Sequence, residues 1–399
     1  MFELRPIFSA LLRSKASPLL ILLQLVLTLA IIANAMHMID ERLALMQRDS
    51  GLPESELFTF NLRELNPDAP LEQQRRLDEA ALRALPGVID ASSISQVPLS
   101  QSGSQTGMAR QPNAPEEIQG VSYFQGPIQL ASTLGLTLLE GRWFNEAEVT
   151  ATKSNREPSQ VILSADAAKQ LFGEESALGK QVYIGNDAAE VIGIYQRMQS
   201  QSVRSRNLYH TAIYPIESLT MLNRFMVRVE PGQLDSVMAQ VEDTLLALEP
   251  YRVVSGFRSM AEVRQDAYRN DNAMARLLTL LSVLLLGVTL VGVVGQVNYT
   301  LVQRRKQIGI RRALGCSRGA IVRHFLLENL MIALAGVTLG AMAALALNQA
   351  LMGVFEIGRL PLTPLASTMA GLLLLCQGAT LVPALRAAQI SPALATRSA

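Results

Sequence analysis

The sequence contains few charged residues, few aromatic residues and almost no cysteine or histidine. Of its 399 residues only 17% are charged and 5% are aromatic, with two cysteines and three histidines. Because soluble domains average about 25% charged residues, this composition argues against a wholly soluble protein. Cys316 and Cys376 both lie outside residues 40–276, so we expect no disulfide in that long segment, which must be stabilised by its own core.

Several catalytic motifs are also missing. The sequence has no GxxxxGK motif followed by Ser or Thr, so it lacks the loop that cradles the phosphates of ATP. His37, His210 and His324 lie in separate segments without a metal-ligand spacing, and residues 103–107 are GSQTG rather than GxSxG. The acids of residues 40–276 are scattered as on a solvated surface. We therefore expect no catalytic residue, metal site, cofactor or nucleic-acid partner for this chain.

What the sequence does contain is four long charge-free runs. They are residues 16–39, 277–303, 329–355 and 360–385, with 24, 27, 27 and 26 residues. About 20 apolar residues cross the hydrocarbon core of a bilayer, so each run predicts a membrane-spanning helix. The runs also lack the buried charges that ion-coupled transport usually needs, which argues against a proton-driven carrier.

Charge is distributed unevenly along the chain. Residues 40–276 contain 22 basic and 31 acidic residues, whereas the rest of the chain has 13 basic and 3 acidic residues. Lys and Arg beside membrane spans stay on the cytoplasmic side, so we expect residues 40–276 outside and both termini inside. Residues 1–15 are then a cytoplasmic amphipathic segment, 304–328 an internal loop, 356–359 a short external loop and 386–399 a cytoplasmic tail.

Residues 40–276 show two similar successions of strand, helix and strand patterns. The predicted elements are strand 57–62, helix 71–85 and strand 87–94, then strand 225–229, helix 234–248 and strand 251–257. Two such units predict a split ferredoxin-like α/β core, interrupted by a β-rich insertion at about residues 96–205. A helical pattern over residues 263–276 meets no breaker before the second span, which predicts one continuous helix.

A basic stretch, residues 304–323, separates the second and third spans and holds seven Lys or Arg residues and no acid. Ile310, Ala313 and Leu314 recur at helical spacing and share one side. Gly315 suits the end of a short helix, and Ser317 the N-cap of the next. The stretch therefore predicts a rigid helical elbow at the cytoplasmic membrane face. The simpler alternative is a basic loop that only fixes topology.

Small and polar residues in the spans predict where helices meet. The candidate packing residues are Gly292, Gly295, Gly336 and Gly340, of which the last two form a GxxxG motif. Glycine lets helix backbones approach closely, within one subunit or across a dimer. Gln24, Thr28 and Asn34 interrupt the first span, and we expect them to hydrogen-bond to neighbouring helices.

The basic stretch also resembles a known coupling segment. Residues 307–315, QIGIRRALG, are similar to the cytoplasmic helix with which FtsX-like permeases, the membrane subunits of MacB-type ABC transporters, contact their ATPase. Gln307 stands where that family usually has an acid, and Cys316 where a small residue is common. The resemblance implies an ATPase-coupling role for Gln307, Ile308, Gly309, Ile310, Arg311, Arg312, Ala313, Leu314 and Gly315.

Other segments extend the resemblance over nearly the whole chain. Similar in order and spacing to the periplasmic domain of the MacB family are LEGRWF at 139–144, VILS at 161–164, LFG at 171–173, LGK at 178–180 and VIG at 191–193. Residues 383–392 resemble the C-terminal end of the family. The implied fold class is an α-helical membrane protein with four transmembrane helices and a large extracytoplasmic α/β domain, a split ferredoxin-like core with a β-rich insertion.

The resemblance implies an inner-membrane, multi-pass permease subunit of the mechanotransmission type that exports a small molecule or peptide. ATP and Mg would be bound by a separate cytoplasmic ABC ATPase. Further implied partners are a second permease, identical or paralogous, membrane lipid, a periplasmic adaptor and an outer-membrane channel. Two alternatives remain, namely a lipoprotein-releasing or cell-division permease of the same superfamily and a non-transporting transmembrane sensor.

Overall fold

The computed structural model of the chain describes residues 16–153, 157–205, 207–355 and 358–389. It divides into a helical unit, Met1–Met46 with Asp271–Ala399, and an α/β unit, Gln47–Asn270. The predicted amphipathic segment 1–15 and most of the predicted tail 386–399 lie outside the described residues, as do two residues of the predicted external loop.

The elements follow one another along the chain in three groups. The first is the helix α1 (Ala16–Met46). Next come β1 (Leu57–Glu64), α2 (Leu71–Arg83), β2 (Val88–Ile94), β3 (Gln105–Met108), β4 (Ile118–Gln125), α3 (Leu130–Thr133), β5 (Leu138–Gly141), β6 (Thr150–Thr152), β7 (Gln160–Ser164), α4 (Ala165–Phe172), β8 (Gln181–Ile184), β9 (Asp187–Tyr195), β10 (Thr211–Tyr214), β11 (Ile216–Ser218), β12 (Leu222–Val229), α5 (Leu234–Leu248), β13 (Arg252–Ser259) and α6 (Met260–Ala267), with 3₁₀ turns at Glu54–Glu56 and Glu146–Glu148. The last are α7 (Arg269–Gln303), α8 (Arg305–Ala313), α9 (Arg318–Phe355) and α10 (Leu362–Ala388).

The first sheet of the α/β unit has four antiparallel strands in the order β13-β1-β12-β2. Each strand-helix-strand unit, β1-α2-β2 and β12-α5-β13, skips one strand, which confirms the predicted split ferredoxin-like core. Alternation along β1 directs Phe58, Phe60 and Leu62 into the core. There the ring of Phe60 stacks on that of Phe225, with centroids 5.2 Å apart.

The second sheet is the predicted β-rich insertion, and it extends beyond residue 205. Its strands run in the order β3-β4-β10-β7-β9-β5, and β8 pairs with β9. β10 lies between β4 and β7, and the following β11 pairs with β6. The insertion therefore ends near Ser218. All four residues of β10 are buried, so this strand lacks the alternation by which a half-buried strand is recognised in a sequence.

Several acids of the α/β unit are buried, which corrects the prediction of a solvated acidic surface. Asp78 is 1% exposed and accepts two hydrogen bonds from Arg252, at 2.7 and 2.8 Å. Glu79 is buried and accepts a 2.8 Å hydrogen bond from the backbone N–H of Ser93. A buried charge needs such partners, and the fold supplies them from distant parts of the chain. Their spacing along the sequence gives no sign of this.

Four helices of the described chain, α1, α7, α9 and α10, are long and apolar enough to cross a membrane. All four extend beyond the charge-free runs that predicted them, α10 by three residues to Ala388. α1 continues to Met46, α7 begins at Arg269, and α9 begins at Arg318. The reason is that helix formation depends on backbone hydrogen bonds, which charged side chains do not interrupt. The apolar runs therefore predict the part of each helix that suits lipid rather than its ends.

The predicted continuous helix over residues 263–276 is interrupted at one residue. α6 ends at Ala267 and α7 begins at Arg269, because Tyr268 leaves helical geometry with φ −101° and ψ 11°. Tyr268 is 2% exposed, and its hydroxyl accepts a 3.1 Å hydrogen bond from the side-chain amide of Gln199. The sequence predicted helix on both sides of this residue but not the turn itself.

Three of the four candidate packing glycines lie at helix contacts within the helical unit. A Cβ atom added to Gly336 would lie 2.9 Å from Cβ of Leu25, and one added to Gly340 would lie 3.0 Å from Cβ of Leu29. The GxxxG motif of α9 therefore packs on α1. Gly292 of α7 leaves room for the side chain of Gln24. A Cβ atom added to Gly292 would lie 2.5 Å from Oε1 of Gln24.

Gly295 was also predicted as a packing residue, but it makes no close helix contact within the described chain, so its packing across a dimer stays a prediction. An added Cβ atom would meet no described atom within 4 Å. The predicted polar contacts of α1 are confirmed: Gln24 donates to the carbonyl of Val288, Thr28 bonds to Thr289, and Asn34 donates to the carbonyl of Ala344. Hydrogen bonds and close glycine contacts thus join α1 to α7 and α9.

Candidate coupling site

The predicted elbow is a short helix with defined ends. α8 spans Arg305–Ala313, and Gly315 after it has a φ of +93°, a conformation that favours glycine. The N–H of Cys316 donates to the carbonyl of Arg311 and that of Gly315 to the carbonyl of Arg312, at 3.0 and 3.1 Å. This pair of bonds is a Schellman motif, which satisfies carbonyls at the helix end.

The next helix, α9, begins at Arg318. Ser317 is its N-cap, because its hydroxyl accepts a 3.3 Å hydrogen bond from the N–H of Ala320. The turn between α8 and α9 is thus fixed by backbone and side-chain hydrogen bonds on both sides, as the Gly315 and Ser317 signals predicted. The structure contains the elbow rather than an irregular basic loop.

α8 has one buried side and one exposed side. Ile308 is 5% exposed and packs in a cluster with Phe325 of α9 and Ala387 of α10, and Gly309 is also buried. On the other side Ile310 is 46% exposed and Leu314 is 83% exposed. Two apolar side chains at i and i+4 therefore form one exposed patch, here called the outer patch.

The remaining predicted coupling residues lie around the outer patch. Gln307, Arg311, Ala313 and Gly315 are exposed. Arg312 is partly buried and donates a 3.2 Å hydrogen bond to the carbonyl of Cys316. The two arginines lie in the last turn of α8, where a positive charge complements the negative end of the helix dipole.

The sequence reasoning missed an ion pair at the start of the elbow. Arg304 is the single residue between α7 and α8, and its guanidinium lies 2.8 Å from the carboxylate of Glu328 in α9. The side chain of Glu328 is 9% exposed. The available signal was that Glu328 is the only acid between residues 272 and 355. Such an isolated acid beside a membrane span needs a partner, and seven cations lie nearby in the sequence.

The site has the character of a docking surface. Within residues 16–153, 157–205, 207–355 and 358–389, no three His, Cys, Asp or Glu side chains are grouped closely enough to hold a metal ion. What the arrangement does offer is an apolar patch on a rigid, positively charged helix. Exposed apolar patches of this kind are typical of protein-interaction surfaces.

Two protein families match adjoining parts of the sequence. The MacB-like periplasmic core domain matches residues 25–244, and the FtsX-like permease C-terminal domain matches residues 279–392. The macrolide export ATP-binding/permease proteins MacB of Escherichia coli K12 and Shigella flexneri are each 30% identical to the chain. These matches cover 65% of the chain but only 40% of each relative, so the chain spans well under half the length of those proteins.

Two solved structures resemble parts of the fold more distantly. The periplasmic region of MacB from Actinobacillus actinomycetemcomitans has 15% identity and a TM-score of 0.35, covering 56% of this chain and 97% of that structure. The extracellular domain of the noncanonic ABC-type transporter YknZ from Gram-positive bacteria has 18% identity and a TM-score of 0.31, covering 50% and 100%.

Proposed function

The chain belongs to the family of ABC transporter permeases with a MacB-like periplasmic core domain and an FtsX-like C-terminal domain, and we propose that a separate cytoplasmic ATPase drives it through α8. It is an inner-membrane protein whose α/β unit is the extracytoplasmic domain. The observation that carries the proposal is the outer patch. Ile310 and Leu314 are exposed although they are apolar, which is explained if a partner covers them.

The geometry of the elbow suits the transmission of force. α8 is joined to α7 through Arg304 alone and to α9 through the short turn 314–317. Ile308 packs against α9 and α10 on the inner side of α8, so a displacement of the outer patch is passed to several spans at once. α1 and α7 lead directly into the extracytoplasmic domain along the chain. We therefore propose that movement reaches that domain while the cargo passes outside the spans, which is mechanotransmission.

The decisive experiment replaces the outer patch. We expect Ile310→Asp with Leu314→Asp to abolish ATPase association and coupled ATP hydrolysis while membrane insertion is retained. Burying such a side chain contributes about 2 kcal/mol, so two losses weaken association at least about a hundredfold. The measurements are copurification of the ATPase and ATP hydrolysis in proteoliposomes that contain both subunits.

Ser317→Asp is the matched control. It adds one acid to the same basic turn, keeps a good N-cap and leaves the outer patch intact, so coupling should persist. Full coupling in the Ile310→Asp, Leu314→Asp chain would show that α8 does not bind the ATPase.

The cargo and the remaining partners are tested by copurification from native membranes. We propose that the chain is an exporter of small molecules or peptides. A second permease, identical or paralogous, should then copurify with it, together with a periplasmic adaptor and an outer-membrane channel. Capture of a lipoprotein carrier or a cell-wall hydrolase instead would favour the lipoprotein-releasing or cell-division alternative. Capture of the ATPase with no transport of any cargo would favour the sensor.

A further inference from the structure

One face of α2 is charged along its whole length, and it lies between the insertion and strands β2 and β12 of the first sheet. Its residues recur at helical spacing and are Glu72, Arg75, Arg76, Glu79 and Arg83. Opposite them lie β6, β11 and the 3₁₀ turn Glu146–Glu148 of the insertion. The contact between the two parts of the α/β unit is therefore polar and incompletely filled.

Three cavities follow this contact, with volumes of about 620, 360 and 270 Å³. The first and third share Glu72 and Arg76, and the second and third share Glu217 of β11. The third, here called the acidic cavity, has four carboxylates in its wall, from Glu72, Glu79, Glu146 and Glu217, and two arginines.

Both arginines of the acidic cavity already have partners on their own helix. Arg76 lies 2.9 Å from Glu72. Arg83 lies 3.8 Å from Glu79 and donates a 2.9 Å hydrogen bond to the carbonyl of Ala91. Two carboxylates are left over, because neither Glu146 nor Glu217 has an ion-pair partner among the described residues. The cavity wall therefore has an excess of negative charge.

Glu217 is the unusual member of this pair. It is only 8% exposed, yet its carboxylate forms no hydrogen bond and no ion pair with any described residue. The cation with the largest electrostatic effect on Glu217 is Arg75, which is 3% exposed. Arg75 is held by other groups, because it donates 2.6 Å hydrogen bonds to the carbonyl of Ser218 and the side-chain oxygen of Asn223. The carboxylate oxygens of Glu217 are not fully enclosed and open into the cavity, where a ligand can supply the donors that the described residues do not.

We propose that the acidic cavity binds an organic cation, an ammonium or guanidinium group, and that Glu217 is its principal anchor. Such a group supplies the positive charge and the N–H donors that the buried carboxylate lacks. A guanidinium can bond to both oxygens of one carboxylate and lie against the apolar wall of Ile128 and Val149. A divalent cation fits less well, because the described residues hold no group of three metal-ligating side chains.

Electrostatics around Glu217 agree with a site that is completed by a cation. Burial raises the pKa of Glu217, Glu72 raises it further, and Arg75 and Arg76 oppose the rise. Burial likewise raises the pKa of Glu79, and the negative charge of Glu217 raises that pKa further. A bound cation favours the ionised carboxylates, so affinity should rise as the pH rises above the ordinary glutamate range.

The test measures binding of butylguanidinium to the full chain in detergent micelles by isothermal titration calorimetry. Butylurea has nearly the same shape and no charge, so it is the matched control ligand. We expect saturable binding of butylguanidinium at one site, with at least tenfold weaker binding of butylurea. Affinity for butylguanidinium should also fall as the pH is lowered from 7 towards 5. Absence of saturable binding, or equal binding of both ligands, would overturn the proposal without any variant being made.

A pair of variants then locates the site. Glu217→Gln preserves the size of the side chain and removes its charge, and we expect it to weaken butylguanidinium binding at least tenfold. Glu140→Gln changes another carboxylate of the insertion, which lies outside the cavity and bonds to the hydroxyl of Ser176, and it should leave binding unchanged. Equal losses in both variants, or none in Glu217→Gln, would refute Glu217 as the anchor. This outcome is independent of ATPase coupling, which is measured on the other unit.

Discussion

At the scale of single residues, glycine has two opposite roles in the spans. Gly336 and Gly340 of α9 permit contact with α1 that any larger side chain would prevent. Gly295 of α7 is exposed, and an added Cβ there meets no described atom within 4 Å. Glycines at these positions are therefore expected to respond very differently to substitution by a larger residue.

Replacement of Gly340 by leucine should destabilise the helical unit. The new side chain would overlap Leu29, and overpacking of this kind costs about 1–3 kcal/mol. The measurement is the thermal unfolding temperature of the purified protein in detergent. Gly295→Leu is the matched control and should leave that temperature nearly unchanged. Equal effects of the two substitutions would contradict the contact between α9 and α1.

Single residues also show what the sequence could not predict. The polar residues of α1 were expected to bond to other helices because water is absent in a bilayer, and that reasoning holds for any span. The burial of Asp78 and Glu217 had no comparable signal. Their environment depends on residues far away in the chain, such as Arg252, 174 positions from Asp78. Only the folded arrangement shows which of many acids is buried.

At the scale of elements, the elbow is tied to the bundle at its first residue. Arg304 leaves helical geometry between α7 and α8 while its side chain holds Glu328 of α9. One ion pair therefore connects the second span, α8 and the third span. We expect it to fix the direction in which α8 leaves the bundle.

A double-mutant cycle tests this connection. Arg304→Gln and Glu328→Gln should each destabilise the protein by about 1–3 kcal/mol, since each leaves a largely buried charge unpaired. The double variant should lose less than the sum of the two, because neither charge then remains. The measurement is the free energy of unfolding in urea. Strict additivity would show that the two side chains do not interact in solution.

Elements were predicted well where a local signal existed. The four spans follow from charge-free runs, and the ends of the elbow follow from Gly315 and Ser317, whose conformation and capping are local properties. The ferredoxin-like core follows from two repeated patterns. The C-terminal end of the insertion was missed because strand β10 is buried throughout. The turn at Tyr268 was missed because its hydrogen bond to Gln199 is a tertiary contact.

At the scale of the whole molecule, the charge distribution predicts which side of the membrane each segment occupies, and direct labelling tests this prediction. The chain has only two cysteines, Cys316 and Cys376, so a cysteine-free background needs two substitutions. In that background we expect Lys153→Cys, on the exposed surface of the α/β unit, to react in intact cells with a membrane-impermeant maleimide admitted through the outer membrane.

Leu314→Cys in the same background is the opposite case. It should react only after the inner membrane has been disrupted, because the basic elbow is expected to remain in the cytoplasm. Labelling of Leu314→Cys in intact cells, or protection of Lys153→Cys, would invert the proposed topology and with it the place of the ATPase.

The first sheet of the α/β unit has a further consequence for how such molecules diversify. β2 and β12 are adjacent and antiparallel, with Ile94 opposite Arg224, so everything between them leaves and re-enters the sheet at neighbouring points. Residues 95–221 are topologically one enlarged hairpin loop. Residues 95–221 could be exchanged for another segment, or shortened to a tight turn, without a change in the strand pairing of the first sheet. Such an exchange would leave α8, the proposed ATPase contact, unchanged, because α8 lies outside residues 95–221.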